Sequence, residues 1–212
     1  AAEILDEAML ISHLNKSDLA ECKLEYADIM LLSGKVWTAI LYYSQVEKSF
    51  KENPLGHEAK LRRAKIAYYQ GDFQWSQVQL DVLKASTSKL IANDAMKLSL
   101  LITDNLGLDT SEIPMQIYAR ADLLFFQNRF SESIITLDSI LSNYKGHSLT
   151  DEILFKKSEI YLENSETEKA VEMLKKIETE FFYDILADDA IYTLAEIYQK
   201  KLEDKEKAKA LY

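Results

Sequence analysis

The sequence predicts an all-α protein made of antiparallel helix pairs, and three observations carry that prediction. Of 212 residues, 48% are apolar, yet only 5 are Gly and 2 are Pro, which leaves little material for hairpin turns or bulges. Ala, Leu, Glu, Lys and Gln dominate long stretches, and these residues lose little rotamer freedom in a helix. The third observation is a short pattern that recurs along the chain.

Four segments align: Ala27 to Ala39, Ala64 to Ser76, Ala121 to Ser133 and Ser158 to Ala170. Each begins with a small residue in a first helix, reaches a polar or Gly turn seven residues later, and ends on a small residue in a second helix. A fifth copy, Ala195 to Ala208, carries one extra residue in its turn. The small residues have a steric reason. Antiparallel helices joined by a short turn cross closely only where neither carries a bulky side chain. Gly34 and Gly71 suit the positive φ that commonly ends a helix, and Asn128 tolerates it less readily.

The second small residues fall at 39, 76, 133, 170 and 208, in steps of 37, 57, 37 and 38. The single long step exceeds 37 by about one helix and one turn. An unpaired apolar helix at 88–105 supplies that excess, with Ile91, Ala95, Leu98, Leu101 and Ile102 on it and Ser86-Thr87-Ser88 before it as a capping cluster. Its neighbour is expected to start directly from Asp109-Thr110-Ser111, with Pro114 in its first turn. One odd helix among pairs predicts a kink near 86–112, and so three regions: N-terminal repeats 1–86, the odd helix and kink 87–112, and C-terminal repeats 113–212, the last of them truncated.

Helices are expected at about 2–14, 18–33, 36–51, 55–70, 73–86, 88–105, 110–127, 131–143, 148–163, 167–180, 183–200 and 204–212. Pro54 is expected to stop the second helix of one repeat. The chain opens on Ala1 inside a helical pattern and stops in mid-helix, which suggests a piece of a longer protein.

These residues resemble the tetratricopeptide repeat over about 18–86 and 114–212. Phe73 and Phe130 supply the aromatic residue that family carries after the turn, where Val36 and Thr167 depart from it. The repeats are slightly longer than the usual 34 residues, and in that respect look like those of bacterial envelope-assembly proteins. The resemblance implies a right-handed superhelix of helix pairs, a protein or peptide partner held on the concave face of the first helices, and, through the envelope likeness, a bacterial envelope location. Leu24, Asp28, Phe155 and Glu159 stand where one subgroup places a carboxylate clamp, so that clamp is absent.

On that face the candidate contact residues are Leu31, Tyr68, Tyr69, Tyr118, Asp122, Phe125, Phe126 and Phe155. Adjacent aromatics such as Tyr68-Tyr69 and Phe125-Phe126 point about 100° apart on a helix, so one of each pair faces a flank. Aromatic anchors dominate many protein interfaces. A second candidate patch is the basic run Lys60, Arg62, Arg63 and Lys65, suited to an acidic partner or to Asp and Glu on a neighbouring helix. Trp37 and Trp75, just past two turns, are read as caps over the core between repeats or, as the alternative, as an exposed patch on a ridge.

A net charge of −10 argues against nucleic-acid binding, which needs a basic footprint. No apolar run approaches the roughly 18 residues of a membrane span. Cys22, the one cysteine, cannot form an intrachain disulfide and aligns with Ala59, Ala95 and Ala190 as a small core residue. His13, His57 and His147 lie far apart and show no zinc spacing. Asp94 and Asp189 precede Ala near helix starts, where they favour the helix dipole. No Gly-rich phosphate loop or nucleophile elbow is present. The sequence therefore points to a non-catalytic scaffold without metal or cofactor, or alternatively to a spacer in a larger protein.

Overall fold

A computed structural model describes residues 1–106 and 111–212. Among them are twelve helices and no strand: α1 (Ala2–Met9), α2 (Lys16–Leu32), α3 (Val36–Ser49), α4 (Pro54–Tyr69), α5 (Phe73–Leu83), α6 (Lys89–Leu106), α7 (Ile113–Phe126), α8 (Phe130–Asn143), α9 (Thr150–Glu163), α10 (Thr167–Glu180), α11 (Leu186–Lys200) and α12 (Lys205–Leu211). Consecutive helices pack on one another from α1 to α6 and from α8 to α12, as an all-α helical repeat array requires. The expected start at Asp109-Thr110 and part of the expected kink at 86–112 lie outside the described residues.

Two compact units divide the chain within α7. The first holds Ala1–Ala119 and Phe126–Asn128, the second Arg120–Phe125 and Arg129–Tyr212.

The turn chemistry repeats with the sequence. Gly146 (76°) aside, which lies in a loop between repeats, positive φ occurs in the five aligned turns at Gly34 (76°), Gly71 (78°), Asn128 (57°), Ser165 (60°) and Glu203 (54°), again in steps of 37, 57, 37 and 38. One residue further on, a backbone N–H reaches back five residues: Lys35 to the Met30 carbonyl, Asp72 to Ala67, Arg129 to Leu124 and Glu166 to Tyr161. These bonds satisfy carbonyls left open at a helix end. In the fifth turn Asp204 reaches six residues back, to Tyr198, which absorbs the extra residue. The second helix then starts two residues after each positive φ, at Val36, Phe73, Phe130, Thr167 and Lys205.

The small residues meet as the steric argument requires. Ala27, Ala64, Ala121, Ser158 and Ala195 on first helices are buried, and so are Ala39, Ser76, Ser133, Ala170 and Ala208 on second helices. Larger side chains fill the space around these crossings, among them Tyr43, Leu80, Leu137 and Leu174. Each such aliphatic side chain contributes about 1.5–3 kcal/mol by leaving water. In the second unit one cluster joins α9 to α12 through Leu154, Leu174, Ile177, Leu194 and Tyr198.

Helix α6 is the odd one. It contacts both α5 and α4, the same relation that α4 has to α3 and α2. It therefore stacks as a first helix, with Ala95 buried as Ala59 is on α4. Its buried face is Ile91, Ala95, Ser99, Ile102 and Asn105. The Gln77 amide donates to the Ser99 carbonyl at 3.0 Å and to Thr103 Oγ1 at 2.7 Å, tying α5 to α6.

Several expectations need correction. Helix α1 ends at Met9 rather than 14, because the N–H groups of Leu10 and Ile11 bond three residues back, to Glu7 and Ala8, which tightens and closes the helix. Asn15 then caps α2, accepting from Asp18 N at 2.8 Å. Pro54 does not stop α3, which has ended at Ser49; it opens α4 behind the Asn53 cap, where its missing N–H costs nothing. The 183–185 stretch is a turn and α11 starts at Leu186, leaving Phe182, Tyr183 and Ile185 exposed. Cys22 is half-buried rather than a core residue.

Candidate protein-interaction surfaces

The groove residues expected from the sequence divide between the two units. In the first, Leu31, Tyr68 and Tyr118 are only 4%, 1% and 4% exposed. Tyr68 is the member of its pair that turns inward, packing its ring 6.0 Å from Phe73 at the start of α5. The end of α7 closes on the end of α2, where Gln127 Nε2 donates to the Leu31 carbonyl at 3.0 Å. These three side chains therefore belong to the packed interior, and a partner laid on the surface does not reach them.

Tyr69 and Phe126 remain half-buried, with ring centroids 6.4 Å apart. They are equivalent residues, each two before its positive-φ turn residue, Gly71 and Asn128. Equivalent positions of two first helices thus bring their rings together.

In the second unit Asp122, Phe125 and Phe155 are also half-buried. Lys156 ties this region together. Its ammonium lies 2.9 Å from Asp122, 2.6 Å from Glu159 and 5.0 Å from the centre of the Phe125 ring. Phe125 also packs 5.8 Å from Phe130. Phe155, the residue before Lys156 on α9, packs on the periphery of the α9–α12 core.

The basic run on α4 is largely neutralised from within, by the second of the two partners its residues suit. Arg62 bonds Asp28 of α2 at 2.6 Å and Glu58 at 2.9 Å, with Glu25 at 3.8 Å. Arg63 and Lys60 share Glu47 of α3, Lys60 at 3.3 Å. Lys65 is half-buried, with no ion pair among the described residues. The Tyr43 hydroxyl donates to Asp28 from below. Burial raises the Asp28 carboxyl above its ordinary value, outweighing Tyr43 and Arg62, which lower it. Burial, and then Asp28, push the Tyr43 hydroxyl up as well.

Neither tryptophan caps the core. Trp37 is 78% exposed and Trp75 is 49% exposed. Each sits beside the buried positions of its helix instead of on them, and the core takes Ala39 and Ser76 there. Exposed apolar residues continue along the same helices at Leu41 on α3 and at Val78 and Val82 on α5. Sequence periodicity marks these positions as off the buried stripe, but their regularity emerges only once turns are aligned: Leu41, Val78 and, in the second unit, Ile135 each stand seven residues past a positive-φ residue.

Among the described residues no group of three or more His, Cys, Asp and Glu is placed to hold a metal ion. His57 bonds Ser86 through Nδ1 at 2.8 Å, and His147 Nδ1 accepts from Leu149 N at 3.1 Å, beside the start of α9. Among the described residues no helix is long and apolar enough to cross a membrane.

The family model described as the tetratricopeptide repeat protein 21 ARM repeat matches residues 107–212, half of the chain. No curated protein matches the chain. The match lends no support to the likeness with bacterial envelope-assembly repeats. It covers three of the five aligned repeats, and by it the chain belongs to the tetratricopeptide repeat protein 21 ARM repeat family.

Proposed function

We propose that this chain is a non-catalytic scaffold that holds a protein or peptide partner against the exposed parts of its first helices. The observation that carries this reading is the pairing of Tyr69 with Phe126, equivalent residues whose rings lie 6.4 Å apart and half in solvent. Repeat arrays bury a continuous core yet leave long surfaces, and regularly placed aromatics on such a surface make good anchors. Within the second unit, Phe155 together with the Asp122–Phe125–Lys156 cluster offers a further surface of the same kind.

The test is affinity capture from the native cells with the original chain, a Tyr69→Ala/Phe126→Ala variant and a Phe155→Ala variant, each checked for its helical circular dichroism. Loss of an aromatic anchor costs about 2 kcal/mol or more, roughly thirtyfold in affinity. A protein retained by the original and lost by a variant supports the reading. Equal recovery on all three removes the first-helix face. Nothing specific on any favours the alternative, a spacer that sets distance within a larger protein.

A further inference from the structure

A cavity of about 450 Å³ opens in the first unit where the end of α3, the start of α4 and α5 meet. Four cations line it, Lys48, Lys51, Lys60 and Arg63, against two carboxylates, Glu47 and Glu52. Glu47 is already shared by Lys60 and Arg63, and neither Lys48 nor Lys51 makes an ion pair among the described residues. A local excess of positive charge thus stands in a chain whose net charge is −10.

Two exposed apolar stripes run into this cavity. On α3, Trp37, Leu41, Ser44 and Lys48 follow at intervals of four, three and four, and so share one helix face. On α5, Trp75, Val78 and Val82 do the same at intervals of three and four. Ser44, Lys48 and Val82 are themselves part of the cavity wall. Because α4 runs antiparallel to both neighbours, α3 and α5 run the same way, each from a tryptophan near its start toward the cavity at its end. The fold makes no use of these side chains: Leu41, Val78 and Val82 are all more than half exposed. Apolar surface left in a regular line beside a polar pocket is the usual mark of an interaction site.

We propose that this surface of α3 and α5 docks an amphipathic acidic segment of a partner protein, its apolar side chains along the two stripes and its carboxylates in the cavity. Tryptophans are the strongest anchors in protein interfaces. The charge excess fixes which end of the segment is acidic and excludes basic partners. An amphipathic helix in a groove is the mode that suits a stripe of this kind. From Trp37 to its end at Ser49 α3 rises about 18 Å, and the cavity wall continues past it to Lys51, so a helix of about fourteen residues covers the stretch. An anionic bilayer is the other surface with suitable charge. It would face the whole acidic chain rather than this local excess of cations, and that repulsion disfavours it. Tyr69 and Phe126 belong to α4 and α7 rather than to α3 or α5, so the inference stands independently of the first-helix reading.

The chain's two tryptophans both sit on the proposed surface, so intrinsic emission reports its occupancy directly. The probes are helix-forming peptides of about fourteen residues with leucines on one face and three glutamates at the N-terminal or the C-terminal end, together with the same peptides carrying lysine for glutamate. The expected result is a saturable emission change for a glutamate peptide, with a Kd of roughly 10–100 μM. Lys48→Glu/Lys51→Glu and Leu41→Asp, all at exposed positions, each weaken it at least about tenfold, while Tyr69→Ala/Phe126→Ala leaves it unchanged. Added salt weakens it as well. Equal binding of the lysine peptides, an unaltered Lys48→Glu/Lys51→Glu variant, or a response to phosphatidylserine vesicles but to neither glutamate peptide would overturn the proposal.

Discussion

The Ser76 hydroxyl donates a 2.9 Å hydrogen bond to the carbonyl of Ala64, across the point where α5 crosses α4. Ser133 does the same to Ala121 at 2.7 Å, 57 residues later. In other copies the same slot holds Ala39 or Ala170, so the site accepts a methyl but uses a hydroxyl where one is present. Ser76→Ala is therefore expected to cost only about 0.5–1.5 kcal/mol. Ser76→Leu forces a bulky side chain between two backbones and costs about 3 kcal/mol or more. Urea titrations of the two variants check both the order and the gap.

Two glycines are needed for opposite reasons. A Cβ on Gly56 would stand 1.9 Å from the Phe50 carbonyl oxygen, so the approach of α4 to the end of α3 forbids any side chain. A Cβ on Gly34 would meet nothing within 4 Å, and there only the φ of 76° resists substitution. Gly56→Ala is expected to cost about 3 kcal/mol or more, since backbone must shift, and Gly34→Ala about 1–2 kcal/mol. Gly34→Asn should recover part of that, because Asn128 already holds a φ of 57° in the equivalent turn. Thermal melts of the three variants give the comparison.

The repeat was legible because its signals are local. Small residues at a fixed distance from a turn can be counted, and even the extra residue of the last turn shows in the spacing. Ser165 and Glu203 adopt positive φ through register alone, as neither residue type announces it. What stayed hidden depends on contacts between distant residues. Which of Tyr68 and Tyr69 faces inward is decided by Phe73 and Phe126, not by their own neighbours. Which of its two partners the basic run on α4 takes is not legible locally, because Glu47 and Asp28 lie 16 and 34 residues before their arginine partners. Position just past a turn leaves Trp37 and Trp75 open to either fate, cap or exposed patch, and only their exposure decides for the patch.

Lys156 gives the second unit a test of coupled charges. Its side chain is 17% exposed and holds Asp122, itself 19% exposed, while its ammonium lies over the Phe125 ring. Lys156→Met keeps much of the stem but leaves Asp122 without its cation, at a cost of about 1.5–3 kcal/mol. Adding Asp122→Asn removes the stranded charge, so the double variant should be more stable than the sum of the single losses. A double-mutant cycle by chemical denaturation measures that coupling. Strict additivity would mean that the ion pair does not hold α7 residues to α9.

Asp28 should leave a signature in the pH dependence of stability. Burial raises its carboxyl above the ordinary 3.8, despite the Tyr43 hydroxyl and the Arg62 guanidinium. Between 3.8 and that raised value the folded chain holds a proton that the unfolded chain has released. Stability from this group therefore falls as pH rises through the window, and is fully present only below it. Asp28→Asn removes the slope. The Arg62 ion pair exists only where Asp28 is ionised and so belongs to that slope, while the difference between the neutral carboxyl and the amide is an offset that does not vary with pH. Denaturation of both proteins from about pH 3 to 7 separates the two effects, because only the slope belongs to titration. The difference, original minus variant, should decline as pH rises above 3.8. A difference that instead grew with pH would mean that Arg62 outweighs burial and holds the carboxyl below its ordinary value.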